Sequence, residues 1–554
     1  MAGSATGHPD LEVQHEVLFG LLKRAARDEV LKAAVVDDSD VPLAIERVLD
    51  ARGLGEVRSA LFAEGKARAA PEGSSVAGSH PRTLYGPPLP PVARRPDQLD
   101  LVLRLQAGWA EHIFARLCHI SQALGQPYER PLAPGAGGAG GAGADESRAA
   151  PVPAAAPALA QGEALHPYDP SELLERICAL RHPNASSAYT GVKGAGLLVL
   201  ELSAPSVAEL QAAMPELSNL KERHIGADDE LHAWFADEHQ RVGERLVAAG
   251  DVPELRRYAR TGVPTNLRPK VWAALLGVGV TARDAACEAM QYDRLVADIS
   301  TVALLTDDSV RADVRLALDD EAFFVFAETL EEVLLCLVRD PWISQRAHFS
   351  SGAALRGDTT TPYLKGRAPL FKPRVDLAAE GSAFFPPSGL VPFRGLASFA
   401  CPVCYVCGEP REVYLLTRAL WARHWCGLHA LSAVRGGLLK ILKTFEMLLQ
   451  EKEPFLVHHL TQLGAHPTEL AFDWLVYAFV GFLEVEQVLL LWDRVLGFDS
   501  LDVLALAAAA VLAFKRDALL EAVTAEDVAD FMQDGSSLKI VPLMQDFLAR
   551  DGVG

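Results

Sequence analysis

Cysteine is scarce in this chain, with eight in 554 residues. So long a chain with so few thiols has no disulfide framework, and a reducing compartment is expected. Basic residues are also short: 52 Lys and Arg face 72 Asp and Glu, for a formal charge of −20. That balance argues against nucleic acid as a partner and against broad adsorption to anionic membranes. A charged-then-apolar leader is missing from the N-terminus, so a cytoplasmic setting is expected. Long apolar runs are missing too. Val503 to Phe514 is too short to span a bilayer and reads as a buried core helix, and Leu470 to Trp492 carries Asp473, Glu484 and Glu486. A Gly-x-x-x-x-Gly-Lys loop is absent, so the chain is not expected to hold a nucleotide itself. No cofactor and no metal is expected.

Half of the residues are hydrophobic, enough for a large core. Residues 9–68 show apolar faces at helical spacing, and 69–96 are Gly, Ser and Pro rich. Leu101, Leu105, Trp109, Ile113 and Leu117 recur every four residues over 97–125, as on a packed helix. Residues 131–165 are Gly, Ala and Pro rich and cannot bury enough apolar surface to offset chain entropy, which predicts a disordered linker. Asp169-Pro170-Ser171-Glu172 reads as a cap, a first-turn proline and a reaching glutamate. Gly194 to Leu202 has strand or loop character, and Val207 to Gly250 reads as helix. Helical patterns then dominate, at Val333 to Leu337, Tyr414 to Trp425, Leu438 to Leu449 and Phe472 to Leu483. The expected domains are a helical N-terminal region (1–130), the linker (131–165), a mostly helical segment (166–249) and a helical domain (250–550).

The most telling stretch is Gly262-Val263-Pro264, then Leu267-Arg268, Val271-Trp272 and Leu275-Leu276-Gly277. Pro264 fixes a turn, Asn266 suits a helix cap, Trp272, Leu275 and Leu276 share a face, and Gly277 suits a helix end. Farther on come Leu295-x-x-Asp298-x-x-Thr301, Pro392-Phe393-Arg394-Gly395-Leu396, and Leu489-Leu490-Leu491-Trp492-Asp493-Arg494. In this order the segments resemble a TBC domain, the all-helical module that stimulates GTP hydrolysis by Rab GTPases. The resemblance implies an all-α fold, a Rab-family partner, and a place in membrane traffic, cytoplasmic or at endomembranes. Any membrane contact would be peripheral and run through the partner. Arg268, Trp272, Asp298, Gly395, Trp492 and Asp493 are its motif and groove residues. The Val-Pro-Phe-x-Gly run, the Gly-Ala-x-Pro run from Gly464 to Pro467 and the Leu-Leu-Leu-Trp-Asp-Arg run resemble a subgroup that lacks the standard catalytic fingers.

That family inserts an arginine and a glutamine into the GTPase. Here Thr301 stands at the arginine position and Arg394 at the glutamine position. Threonine carries no charge, and arginine donates but cannot accept from an attacking water. Two readings stay open: a GTPase-binding or scaffold protein with little catalysis, or an activator in which Arg394 is a relocated catalytic finger. A short insertion after Asp298 would make Arg311 or Arg315 the finger.

Residues 342–390 form an insertion relative to the family spacing. Between Trp342 and Val375 it holds Arg346, Arg356, Lys365, Arg367, Lys372 and Arg374 against Asp358, either a basic contact surface or a solvated loop. Cys401, Cys404 and Cys407 with His424, Cys426 and His429 could be read as zinc ligands, but buried thiols on a helix are the stronger expectation. Pro87 to Pro91 before Arg94 and Arg95 reads as a stiff linker rather than a peptide ligand.

Overall fold

The computed structural model describes residues 95–132, 165–178, 202–229, 231–347, 385–431, 437–532, 535 and 537–549. All belong to one compact unit, Thr83–Gly554. The expected helices over 9–68, the Pro-rich stretch at 87–91, most of the 131–165 linker, the 194–201 segment and insertion residues 348–384 lie outside the described residues.

The chain runs α1 (Arg95–Leu124), β1 (Glu129–Pro131), α2 (Pro170–Cys178), α3 (Val207–Ala213), α4 (Pro215–Ser218), α5 (Ala233–Ala249), α6 (Val252–Arg260), α7 (Arg268–Leu276) and α8 (Ala282–Thr301). Next come β2 (Val302–Leu304), α9 (Thr306–Ala317), α10 (Ala327–Arg339), α11 (Pro341–Arg346), α12 (Cys401–Cys404), α13 (Pro410–Arg423), α14 (Leu438–Lys452) and α15 (Pro454–Leu463). It closes with α16 (Pro467–Val476), α17 (Val485–Phe498), α18 (Asp502–Phe514), α19 (Arg516–Glu521), α20 (Ala525–Met532) and α21 (Ile540–Ala549). Among the described residues the fold is all-α apart from two short strands, which pair antiparallel.

The centre is α18. Every side chain from Val503 to Ala513 is buried, and the helix packs against α14, α16, α17 and α21. A helix apolar on all sides is stable only when surrounded. Among the described residues no helix is long and apolar enough to cross a membrane. On α1, Trp109, Ile113 and Leu117 are buried as their spacing predicts, joined by Val102 and Ile120; the Leu101 side chain lies outside the description.

Several local expectations need correction. Val207 to Gly250 is not one helix: Pro215 ends α3 and starts α4, and α5 begins only at Ala233. Phe472 to Leu483 stops at Val476, where Ala478 and Phe479 take positive φ (49° and 69°). That break buries Phe479 and presents the Ala478 carbonyl to Trp492 Nε1 at 3.1 Å, so packing overrides helix propensity. Tyr414 to Trp425 is α13 only to Arg423, followed by a tighter turn of helix at Trp425–His429. Asn266 caps nothing; α7 starts at Arg268, and the Pro264 carbonyl accepts from Leu267 and Arg268. Gly277 does end α7. Asp169 caps α2 through Ser171 N (2.8 Å), whereas Glu172 turns away to His112 Nε2 at 2.9 Å.

Candidate functional site

Two groups of motif residues occupy different places. The first lies in the interior. Asp493, fully buried on α17, accepts from Arg268 Nε (3.1 Å) and Nη2 (3.1 Å), from Trp272 Nε1 (2.8 Å) and from Val263 N (3.1 Å). Arg268 Nη2 also donates to the Val263 carbonyl at 2.9 Å. The neighbouring Arg494 donates to the carbonyls of Leu490, Ile225 and Thr261 at 2.9, 2.8 and 3.1 Å. A Cβ on Gly262 would lie 2.8 Å from Arg494 Nη2, which is why the opening turn carries glycine. The Gly-Val-Pro turn, α7 and the Trp-Asp-Arg helix are thus one polar lock in an apolar core. Arg268, Trp272, Trp492 and Asp493 are buried and contribute to the fold; they present nothing at a surface groove.

The second group is at the surface. Thr301 ends α8, and its hydroxyl donates back to the Asp298 carbonyl at 3.2 Å. Asp298 lies 4.0 Å from Arg294. The chain then enters β2, which is fixed from behind by Arg339. Both ends of that guanidinium hold Asp307 at 2.7 Å, and Nη2 also donates to the Val302 carbonyl at 2.9 Å. Arg394, next to the Gly395 that α9 holds, has its side chain 60% exposed, 3.3 Å from the Asp169 carboxylate. Its N–H donates to the Tyr168 carbonyl (3.2 Å), and its carbonyl accepts from Tyr477 Oη (2.8 Å). Gly395 has φ 95°, where a Cβ would stand 2.3 Å from the Tyr477 ring. Its N–H and that of Ala397 donate to Asp313 at 2.5 and 2.6 Å. Helix α9 therefore joins both positions: it follows β2 directly and carries the aspartate that cradles Gly395.

Burial pushes the Asp313 carboxyl up to about 6, against the pull of its two N–H donors. His166 Nε2 lies 3.5 Å from it, and burial lowers that imidazole to about 4. His224 and His424 are lowered to about 4 and His429 to about 3, each mainly by burial. His429 stacks on Phe393 at 3.8 Å, which stacks in turn on Tyr168 at 5.3 Å. The sign of the pH dependence follows. A histidine held below its unfolded value near 6.5 gives stability that is full above that value and lost as pH falls through 4. Asp313, raised, works the other way between 3.8 and 6. Four imidazoles outweigh one carboxyl, at on the order of 1–2 kcal/mol each by pH 5. Urea midpoints are therefore expected to be lower at pH 5 than at pH 7.5; equal midpoints would mean that the imidazoles charge within the fold.

Asp313, Asp169, Tyr168 and Tyr477 were not legible as site residues, because no motif spacing links them to Arg394. Arg311 is bound to Glu331 at 2.8 Å, and Arg315 Nε donates to the Arg311 carbonyl at 3.2 Å. Of the basic insertion residues only Arg346 is described, stacked over Trp342 at 4.6 Å. Burial pushes the thiols of Cys404 and Cys407 up to about 12 and that of Cys401 well up. Among the described residues no three His, Cys, Asp or Glu gather as metal ligands.

Comparison with known proteins bears on the whole arrangement. The family model for the Rab-GTPase-TBC domain matches residues 396–520. Human "TBC1 domain family member 19" is 34% identical over 387 residues, covering 69% of this chain and 70% of that protein. The chain belongs to the Rab-GTPase-TBC domain family. Among solved TBC domains, a Chlamydomonas flagellar RabGAP TBC domain is 16% identical, covers 60% of this chain and 97% of its own, and gives a TM-score of 0.41. The Ypt/Rab-GAP domain of Gyp1p is 14% identical, covers 54% and 91%, and gives 0.36. The match from 396 begins at the residue after Gly395, so the TBC profile takes in the Trp-Asp-Arg helix and α18. Thr301 and Arg394 both precede it.

Proposed function

We propose that this TBC-domain chain binds a Rab-type small GTPase on the surface carrying Thr301 and Arg394, and regulates it or scaffolds it in membrane traffic with little acceleration of GTP hydrolysis. The setting is cytoplasmic or at endomembranes, reached through the partner. Family membership supports the partner class. The carrying observation is Thr301, a short uncharged side chain whose hydroxyl is turned to its own helix. A trans arginine contributes roughly 10³–10⁵ in rate, or about 4–7 kcal/mol of transition-state stabilisation. Nothing at Thr301 can supply that charge.

A second reading is favoured by one observation: Arg394 is 60% exposed and held by a single ion pair at 3.3 Å. In that reading it acts as a relocated finger, and the Rab provides its own glutamine. Single-turnover GTP hydrolysis by a panel of Rab GTPases, with and without the full chain, separates the two. GTP-dependent binding with at most a few-fold acceleration is expected. Acceleration of roughly a hundredfold or more that Arg394→Ala abolishes while binding persists would establish the second reading instead.

A further inference from the structure

Both finger positions are already in contact with chain from outside the TBC helices. At Thr301, the carbonyl accepts from Leu132 N at 2.8 Å, and β1 lies along β2 in the register Glu129 to Leu304, Arg130 to Ala303 and Pro131 to Val302. Leu305 N donates to the Tyr128 carbonyl at 2.9 Å, closing the other end of the ladder. With hydrogen-bonded pairs at 132/301 and 128/305, alternation puts Pro131 opposite Val302 at a pair that uses no N–H, so this proline is compatible with the strand. At Arg394, the N–H is taken by the Tyr168 carbonyl and the guanidinium by Asp169. Between them, Ser309 Oγ on α9 donates to the Leu165 carbonyl at 2.7 Å.

We infer that residues 128–132 and the Asp169 carboxylate are intramolecular occupants of the GTPase surface, which a Rab must displace to reach Thr301 and Arg394. The inference rests on the proposed reading that this surface receives the GTPase. Firm and weak attachments are divided in a way that suits a cover. Tyr168 is buried between Trp109 and Phe393, with ring centroids at 5.1 and 5.3 Å, and anchors the segment. β1 is three residues long with every side chain exposed, and the ion pair of Asp169 with Arg394 lies in solvent, where such pairs contribute little. β2 is secured separately by Arg339 and Asp307. β1 can therefore leave while β2 and α9 keep their places. Departure of β1 frees the β2 edge and the Thr301 carbonyl, and breaking the Asp169 ion pair frees the Arg394 guanidinium.

The test compares the full chain with a Leu132→Pro, Asp169→Lys double variant. The first change removes the one N–H that reaches Thr301, and the second sets a cation against Arg394. Binding is measured by titration with a panel of Rab GTPases loaded with a non-hydrolysable GTP analogue. The double variant is expected to bind at least tenfold tighter than the natural chain. Equal or weaker binding by the variant, with the natural chain binding, overturns the cover and leaves the Rab reading standing. Binding by neither sinks the Rab reading and the cover with it. Thermal unfolding of both proteins checks that the variant folds. Should it not, hydrogen exchange on the natural chain decides: an added Rab is expected to speed exchange at the amides of Leu132 and Leu305, and slowed or unchanged exchange there overturns the inference.

Discussion

Asp493→Ala is expected to lower the unfolding free energy by about 3–5 kcal/mol, the range for removing one partner of a buried ion pair. The side chain is fully buried and accepts from Arg268, Trp272 and Val263. Without it the Arg268 guanidinium keeps a single acceptor, the Val263 carbonyl. Two buried cations are then left in the same neighbourhood, because Arg494 follows Asp493. Burial already lowers Arg494 to about 10, and the Asp493 charge offsets part of that. Asp493→Asn keeps the shape and one good acceptor but sets an amide donor toward donors, so an intermediate loss is expected. Urea denaturation measures both. A loss under about 1 kcal/mol for the alanine variant would mean that water or a shifted side chain replaces the carboxylate.

Gly395→Ala comes second, at about 2–5 kcal/mol, combining the left-handed backbone cost for a residue with Cβ and an overpacked contact. The new methyl would meet the Tyr477 ring at 2.3 Å. Tyr477 must then swing away, losing its hydrogen bond to the Arg394 carbonyl. Repeating the change in a Tyr477→Ala background separates the two costs. There the loss should shrink to the backbone share of about 1–2 kcal/mol. An undiminished loss would place the whole effect in φ and absolve the ring.

How much of this could be read from residues alone depends on the length scale of each signal. The opening turn, Gly277 at the end of α7, the apolar spacing of α1 and the all-apolar α18 are local patterns, and they appear where the sequence puts them. The breaks at Pro215 and Ala478 differ in kind. A proline after Met214 is a visible stop, whereas the turn at Ala478 exists because Trp492, fourteen residues on, takes its carbonyl. The two-stranded ladder was invisible because three exposed residues, Glu129 to Pro131, carry no alternation of polarity. Among the candidate site residues, Thr301, Arg394 and Gly395 are named by motif spacing alone. Their supports are not: Asp313 lies 82 residues from Gly395 and Asp169 lies 225 from Arg394. The same limit hid the partner of Arg268, a buried aspartate 225 residues away.

The polar lock also sets a timetable for synthesis. Arg268 and Asp493 are 225 residues apart. At roughly 5–20 residues per second, a ribosome delivers the second roughly 10–45 s after the first. For that interval the Gly-Val-Pro turn and α7 are present without the carboxylate that their buried guanidinium and indole require. Central α18 emerges later still. The half of the domain made first has therefore neither its charge partner nor its core helix, and cannot complete a stable body as it is made. This TBC domain closes from its C-terminal end.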